Sequence, residues 1–297
     1  MDLNYSTVQP VKLGGLPRPR VLLKDVYSLY GNQFLRWFAI TAPTSLLASI
    51  VLLMADQRIR AIYQSIPRGE IQFHWIEIGE ASVLRYGSFF ISWVLGCFAL
   101  AAIATVVNGL DVNDNNDVWV RDSYQRARER FGPLLSAACF TFGLFLAGMA
   151  VVISVELALL LKVTAAHRLQ FGYYAGLIGY AIVAGIVSWF GMAIPLLLAE
   201  NIGVWAALKK SVKLSNGYEG FLCLLVVESL AGTYVAWYAV HFGLSFLFPV
   251  QLRYTAWYGW LVYFVSILAS AAVQPPIFIG FSLLAANDGK PATLALP

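Results

Sequence analysis

Six long apolar stretches, each long enough to cross a lipid bilayer, fill most of this 297-residue chain. They lie at 37–55, 88–107, 133–161, 172–199, 221–247 and 258–285. About 20 apolar residues, at a rise of about 1.5 Å per residue, match a hydrocarbon core about 30 Å thick. The chain is 59% hydrophobic and only 12% charged, so it lacks the charged surface that a water-soluble protein needs. The sequence therefore predicts an all-α, polytopic integral membrane protein with six transmembrane helices.

A single membrane domain is expected, because no linker rich in Pro, Gly or Ser separates two folded units. It occupies residues 21–287, between a flexible N-terminal arm at 1–20 and a short tail at 288–297. No cleavable signal peptide is expected, since 36 polar or mixed residues precede the first apolar stretch. The three cysteines all lie inside apolar stretches, which predicts packing residues rather than disulfides or metal ligands.

Basic residues are distributed unevenly between the two sides of the membrane. Six spans place both termini on one side, and thirteen of the 20 Lys and Arg residues fall in the segments on that side. Because basic loops are retained in the cytoplasm, both termini are predicted to be cytoplasmic. The expected location is the bacterial cytoplasmic (inner) membrane.

Similar segments precede the first, third and fifth apolar stretches, at 23–34, 120–131 and 208–221. The first two align without a gap, pairing Lys24 with Arg121, Asp25 with Asp122, Tyr27 with Tyr124 and Phe34 with Phe131. Their apolar spacing is typical of amphipathic helices at the membrane interface, with Leu208 facing lipid. This predicts three pseudo-repeated hairpins, each preceded by a cytoplasmic interfacial helix. The alternative is that these are ordinary juxtamembrane segments.

One segment carries a family resemblance. It runs from Pro195 to Leu214 and reads PLLLAENIGVWAALKKSVKL, with Glu200-Asn201 followed by Ala207-Leu208-Lys209-Lys210-Ser211. This segment resembles the signature of the membrane domain of glycerophosphoryl diester phosphodiesterases and of related six-span proteins. The opening residues Tyr27, Leu29, Tyr30 and Phe34 are also similar to that domain. The sequence contains no counterpart of the catalytic domain that follows in some members, and the resemblance therefore implies a stand-alone membrane domain.

A candidate intramembrane polar site combines Glu228 with one face of the sixth stretch. That face comprises Tyr263, Ser266, Ser270 and Gln274. Charge inside a bilayer is costly, so Glu228 is either a proton or cation site or a neutral hydrogen-bonding residue that holds helices together. Pro275-Pro276 must interrupt the helix and leave carbonyl groups to be satisfied by protein or water. The sixth stretch is then either half of a ligand cavity or a tightly packed, kinked helix.

A second candidate site lies near the end of the fourth stretch. Glu200 is followed by Lys209, Lys210 and Lys213, a set that suits the head group of a lipid or simply forms a helix-terminus ion pair. The three histidines are interpreted as surface residues. The acidic stretch Asp111–Asp117 is interpreted as a solvated loop that caps the next helix, because it lacks the closing Glu and central Gly of a calcium loop.

No catalytic motif is present in the sequence, and no enzyme activity, cofactor or metal is expected. The basic residues lie beside membrane spans, so nucleic-acid binding has no support. The predicted function is a non-enzymatic scaffold or accessory subunit that binds membrane lipids, membrane protein partners or both. The alternative is a transporter or channel for a small solute or lipid. A continuous polar cavity beside Glu228 and the sixth stretch would favour transport, and closed packing there would favour a scaffold.

Overall fold

The computed structural model describes residues 19–66, 74–110, 120–160, 181, 184–249 and 256–288. Every regular element in these ranges is helical. We number the helices α1 Pro19–Asn32, α2 Phe34–Ser65, α3 Trp75–Leu110, α4 Val120–Glu129, α5 Phe131–Leu160, α6 Ala193–Glu200, α7 Val204–Ser215, α8 Glu219–Leu247, α9 Ala256–Val273 and α10 Pro275–Asp288. Residues 184–190 are also helical and lead into α6 through a turn at Gly191 and Met192.

Five helical segments are long and apolar enough to cross a membrane. They are Phe34–Ser65, Trp75–Asn108, Phe131–Val151, Glu219–Leu247 and Trp257–Ala286. The predicted all-α class is confirmed, and these helices support a multi-pass membrane protein. The predicted fourth span, 172–199, is described only at residue 181 and from residue 184 onward, where the structure has the shorter apolar helix Ala184–Glu200. The predicted arm and tail lie almost entirely outside the described residues.

Three of the long helices each follow a short helix. α1 leads into α2 at Gln33, α4 into α5 at Arg130, and α7 into α8 through residues 216–218. Each short helix buries one face: Leu22 and Val26 of α1, Ser123 and Ala127 of α4, and Ala207, Leu208, Ser211 and Ser215 of α7. The expectation that Leu208 faces lipid is wrong. Its side chain is only 2% exposed, because α7 packs this face against α5, α6 and α10.

The C-terminal half of α3 forms the centre of the bundle. Every residue from Ala99 to Val107 is buried, and this run is rich in alanine. Small side chains allow neighbouring helices to approach closely on all sides. α3 accordingly contacts α2, α4, α5, α6 and α10. The fold therefore uses one small-residue helix as the common packing surface for five others.

The helices α2 and α3 extend beyond the apolar stretches that predicted them. α2 continues past residue 55 to Ser65, and α3 begins at Trp75 rather than at residue 88. Across this extension Arg58 pairs with Glu80 at 3.1 Å. The apolar side chains Ile59, Ile62 and Ala81 form a small separate cluster there. The hairpin therefore continues as a helical pair after its hydropathy has fallen.

Candidate functional site

A cavity of about 660 Å³ lies between α2, α3, α8, α9 and α10, with further walls from residues 186–191 and Ile194. The cavity is partly open to its surroundings, and most of its lining is apolar. Along α8 it extends from Val226 to Trp237, about 16 Å at a rise of about 1.5 Å per residue. Its volume falls within the range of about 300–1,000 Å³ that is usual for small-molecule sites.

The polar face predicted on the sixth stretch lines this cavity. Its members are Tyr263, Ser266, Ser270 and Gln274. Their spacing of three or four residues places them on one side of α9. This face therefore borders the cavity, while α9 also packs against α2 and α8.

Glu228 lies elsewhere. It is not among the residues that line the cavity, and its side chain is exposed. The Tyr27 hydroxyl of α1 donates a hydrogen bond to Glu228 Oε2. The structure therefore does not bring Glu228 and the α9 face together around the cavity. The observed contact ties α1 to α8, which matches the interpretation of Glu228 as a residue that holds helices together.

The Tyr27 phenol remains a hydrogen-bond donor over a wide pH range. Burial raises its pKa to about 12, and the hydrogen bond to Glu228 acts in the same direction. A raised pKa means that folding favours the protonated phenol. The contribution of this contact to the free energy of unfolding is therefore fully present below pH 10.0, the ordinary pKa of tyrosine. It is lost as the pH rises through about 12, the pKa of Tyr27 in the folded protein.

Replacing Glu228 by Leu should destabilise the protein more than replacing it by Gln, because Gln retains an acceptor for Tyr27. In a double-mutant cycle with Tyr27→Phe, we expect a coupling of about 0.5–1.5 kcal/mol for Glu228→Leu. Thermal unfolding in a mild detergent measures it, and the coupling should not change between pH 6 and 9. Equal destabilisation by Gln and Leu, or no coupling to Tyr27, would contradict the assigned role.

Two backbone carbonyls freed by the double proline at 275–276 are bonded by side chains from other helices. In an uninterrupted helix these positions would donate amide protons to the carbonyls of Ala271 and Ala272, but proline has none. Instead the Thr41 hydroxyl of α2 donates to the Ala271 carbonyl at 2.7 Å. The Tyr30 hydroxyl of α1 donates to the Ala272 carbonyl at 2.5 Å. The freed carbonyls are thus satisfied by protein, one of the two solutions expected from the sequence.

This interruption, which we call the proline joint, borders the cavity. Ser270 and Gln274 line the cavity before the joint, and Ile277, Phe278 and Phe281 line it afterwards. α1 and α2 hold the bend through their hydroxyl groups. The shape of this wall therefore depends on contacts made at the joint.

Glycines let the helices near the cavity approach closely. A Cβ atom added at Gly191 would lie 2.6 Å from the Phe281 ring. A Cβ atom at Gly232 of α8 would collide with Val273 of α9. Gly232 therefore lets α8 and α9 approach each other closely.

The hydroxyl groups around the cavity mostly donate to backbone carbonyls. Tyr263 donates to the carbonyl of Ser49 at 3.2 Å, and Ser270 donates to that of Ser266 at 2.8 Å. Ser92 similarly donates to the carbonyl of Ser88 at 2.8 Å. The Ser266 hydroxyl is buried and has no hydrogen-bond partner within the described part of the chain. The wall therefore contains two kinds of hydroxyl group. Several have donated their protons and can only accept a hydrogen bond, and one has no partner.

The residues proposed for a lipid head group are only partly engaged with one another. Lys210 pairs with Glu200 at 2.5 Å, which matches the ion-pair interpretation. The Lys209 Nζ lies 5.4 Å from the centroid of the Trp205 ring. Lys209 and Lys213 are both exposed on α7. These two lysines therefore remain accessible from outside the bundle.

The remaining sequence candidates do not converge on one site. His74 contacts Glu77 at 3.2 Å, and the ring of His241 stacks on that of Trp237 with centroids 5.5 Å apart. His167 and the stretch Asp111–Asp117 lie outside the described residues. Among the residues that are described, no group of three or more His, Cys, Asp or Glu side chains is placed to hold a metal ion.

The cavity and the proline joint are the features with the most chemical content. The mostly apolar lining disfavours the burial of polar groups that find no partner in the walls. No protein-family model, curated protein or solved structure matches this chain. Function is therefore inferred from the geometry of the cavity and of its walls.

Proposed function

We propose that this protein is a non-enzymatic, multi-pass membrane protein that holds a lipid inside its helix bundle and serves as a scaffold or accessory subunit. The observation that carries the proposal is the largely apolar cavity of about 660 Å³ between α2, α3, α8, α9 and α10. An acyl chain that occupies an apolar volume of this size gains packing contacts with its walls. The proposed scaffold role also includes binding to other membrane proteins.

A lipid suits this cavity better than a hydrated solute does. Burying a polar molecule costs free energy unless each polar group finds a partner. The cavity lining is mostly carbon, and Glu228, the most polar member of the predicted site, lies outside it. The lining therefore supports binding of an acyl chain.

Transport of the lipid is a second candidate function. Interrupted helices form the substrate sites of many transporters, because the helix ends and unwound backbone at the break can contact the substrate. The proline joint occupies such a position here. A transport role requires the wall to move, whereas a scaffold role requires only that the lipid remain bound.

The proposed architecture has six spans in three repeated hairpins. Its support is the sequence of short helix and long helix that occurs at α1–α2, α4–α5 and α7–α8. When the third segment is aligned with Leu208 opposite Leu23 and Val120, Val26, Ser123 and Ser211 are equivalent, and all three are fully buried. The same architecture underlies the resemblance to the phosphodiesterase membrane domain, which we retain as a proposal. We also propose that the exposed Lys209 and Lys213 contact anionic lipid head groups.

Lipid retention tests the proposed function. The protein, purified in a mild detergent, should carry lipid that native mass spectrometry detects after exchange into a second detergent. Organic extraction of the same sample should release near-stoichiometric lipid. A preparation that remains folded and retains no lipid would contradict the proposal.

The proposed topology, with both termini in the cytoplasm of an inner-membrane protein, predicts a labelling pattern. In a cysteine-free background, Glu70→Cys should react with a membrane-impermeant maleimide in intact cells. Gln125→Cys should react only after the cells are opened. These positions lie in segments assigned to opposite sides by the distribution of Lys and Arg. Labelling of both positions, or of position 125 alone, in intact cells would overturn the orientation.

A further inference from the structure

We propose that the lipid held in the cavity is an uncharged, single-chain lipid alcohol. This inference rests on the proposed lipid-binding function and specifies the chemical class of the ligand. Three observations carry it: the absence of charge in the lining, the hydrogen-bonding state of the lining hydroxyls, and the dimensions of the cavity.

The lining excludes a charged ligand group. Among the described residues that line the cavity there is no Asp, Glu, Lys, Arg or His. A charged group buried in such surroundings is strongly unfavourable, because nothing compensates the loss of its hydration. The pair formed by Lys210 and Glu200 lies outside the lining. A phosphate or carboxylate head group is therefore not expected inside the cavity.

The hydroxyl groups of the wall select a ligand group that both donates and accepts. Tyr263, Ser270 and Ser92 have donated their protons to backbone carbonyls, so each offers lone pairs only. Ser266 has a buried hydroxyl proton without a partner, and a ligand group reaches it when the Ser266 side chain turns toward the cavity. An alcohol can donate to the first kind of group and accept from the second. An ether or ester can only accept, so it leaves the lone pairs of the wall unused.

The dimensions suit one hydrocarbon chain. The cavity extends for about 16 Å along α8. This length is roughly half of a hydrocarbon core about 30 Å thick, and one acyl chain spans one such half. The α9 polar face, from Tyr263 to Gln274, lines the same cavity. A single chain can therefore fill the apolar part while its terminal hydroxyl reaches this face.

A matched ligand series tests the proposal. A photoreactive octadecanol bearing a diazirine labels the full-length protein in detergent, and the labelled peptides are mapped by mass spectrometry. The competitors are oleyl alcohol, oleyl methyl ether and oleyl phosphate, which share one chain. We expect label on the α3 and α9 peptides that line the cavity, and we expect the ether to compete about tenfold more weakly than the alcohol. The phosphate should compete more weakly still.

A serine pair provides the matched variants. Ser266→Ala removes the unpartnered hydroxyl and should weaken octadecanol labelling several-fold without lowering the thermal stability. Ser282→Ala is the control, because Ser282 is also buried but bonds the Phe278 carbonyl at 2.7 Å and does not line the cavity. Labelling by octadecanol should be unchanged in that variant.

Each contrary result has a separate meaning. Equal competition by all three ligands, or an unchanged affinity in Ser266→Ala, would overturn the alcohol and leave lipid binding intact. Preferred binding of the phosphate would overturn the uncharged class. Failure of the probe to label cavity peptides, together with a purified protein that carries no lipid, would overturn the proposed function itself.

Discussion

Replacing Gly96 by phenylalanine is expected to expel the bound lipid while the helix bundle remains folded. Gly96 lines the cavity, and a Cβ atom added there meets no other atom within 4 Å. The aromatic ring therefore enters free volume and occupies the place of the lipid chain. The amount of co-purified lipid should fall by about tenfold or more, a change of at least about 1.4 kcal/mol in binding free energy. Native mass spectrometry and quantitative lipid extraction measure this loss.

Gly87→Phe is the matched control for this variant. Gly87 lies on the same helix, and an added Cβ atom there also meets nothing within 4 Å, but this residue does not line the cavity. Both substitutions change helix propensity in the same way. Gly87→Phe should therefore retain the lipid content of the unmodified protein. Equal lipid content in the two variants would show that the lipid binds outside the cavity.

Removing the Thr41 hydroxyl should destabilise the protein only while Pro275 is present. Thr41→Val leaves the buried Ala271 carbonyl without the partner that it has at 2.7 Å. An unsatisfied buried carbonyl costs about 1–3 kcal/mol. Pro275→Ala restores a backbone amide that can bond the same carbonyl. In that background Thr41→Val is expected to be close to neutral.

A double-mutant cycle measured by reversible unfolding in mixed micelles gives the coupling between these two positions. The expected value is about 1–3 kcal/mol. The crossed combination is the control: Thr41→Val should keep its full cost in the Pro276→Ala background, because that proline frees the Ala272 carbonyl instead. Tyr30→Phe should show the opposite preference, since Tyr30 bonds Ala272. If Thr41→Val destabilises the unmodified protein, Pro275→Ala and Pro276→Ala by the same amount, Thr41 does not cap the freed carbonyl.

The helices themselves followed directly from the hydropathy of the sequence. Five of the predicted apolar stretches coincide with long apolar helices among the described residues. The ends of α2 and α3 were not predicted, because helical hydrogen bonds continue where hydropathy falls. There Arg58 and Glu80 pair across the two helices, and neither residue is apolar enough to register in a hydropathy scan. A search for oppositely charged residues flanking a short loop would have suggested this extension.

The sequence predicted only one of the two features of the proline joint. Pro275-Pro276 predicted that carbonyls would be freed, since proline lacks an amide proton whatever its surroundings. The identity of the groups that bond them was not predictable, because Thr41 is 230 residues from Ala271 in the chain. By contrast, the sequence does indicate where α6 ends. Asn201 follows the apolar helix and adopts the left-handed backbone conformation, with φ 54°, that asparagine tolerates at helix ends.

For the candidate site too, the sequence predicted the local geometry of each helix but not which helices meet. The spacing of Tyr263, Ser266, Ser270 and Gln274 placed them on one face, and the structure places that face on the cavity. Glu228 was assigned to the same site and instead contacts Tyr27 of α1. Helical periodicity gives the direction of a side chain relative to its own helix only. Which neighbour stands in that direction depends on the packing of the whole bundle.

The sequence by itself determined that this chain is helical and suited to lipid, because hydropathy and helix formation depend on residues close together in the chain. Only the tertiary structure decided that Thr41 and Tyr30 cap the proline joint and that Tyr27 meets Glu228, 201 residues away. The cavity belongs to the second group as well. It is the volume left over when five helices pack, and no single segment of the chain encodes that volume.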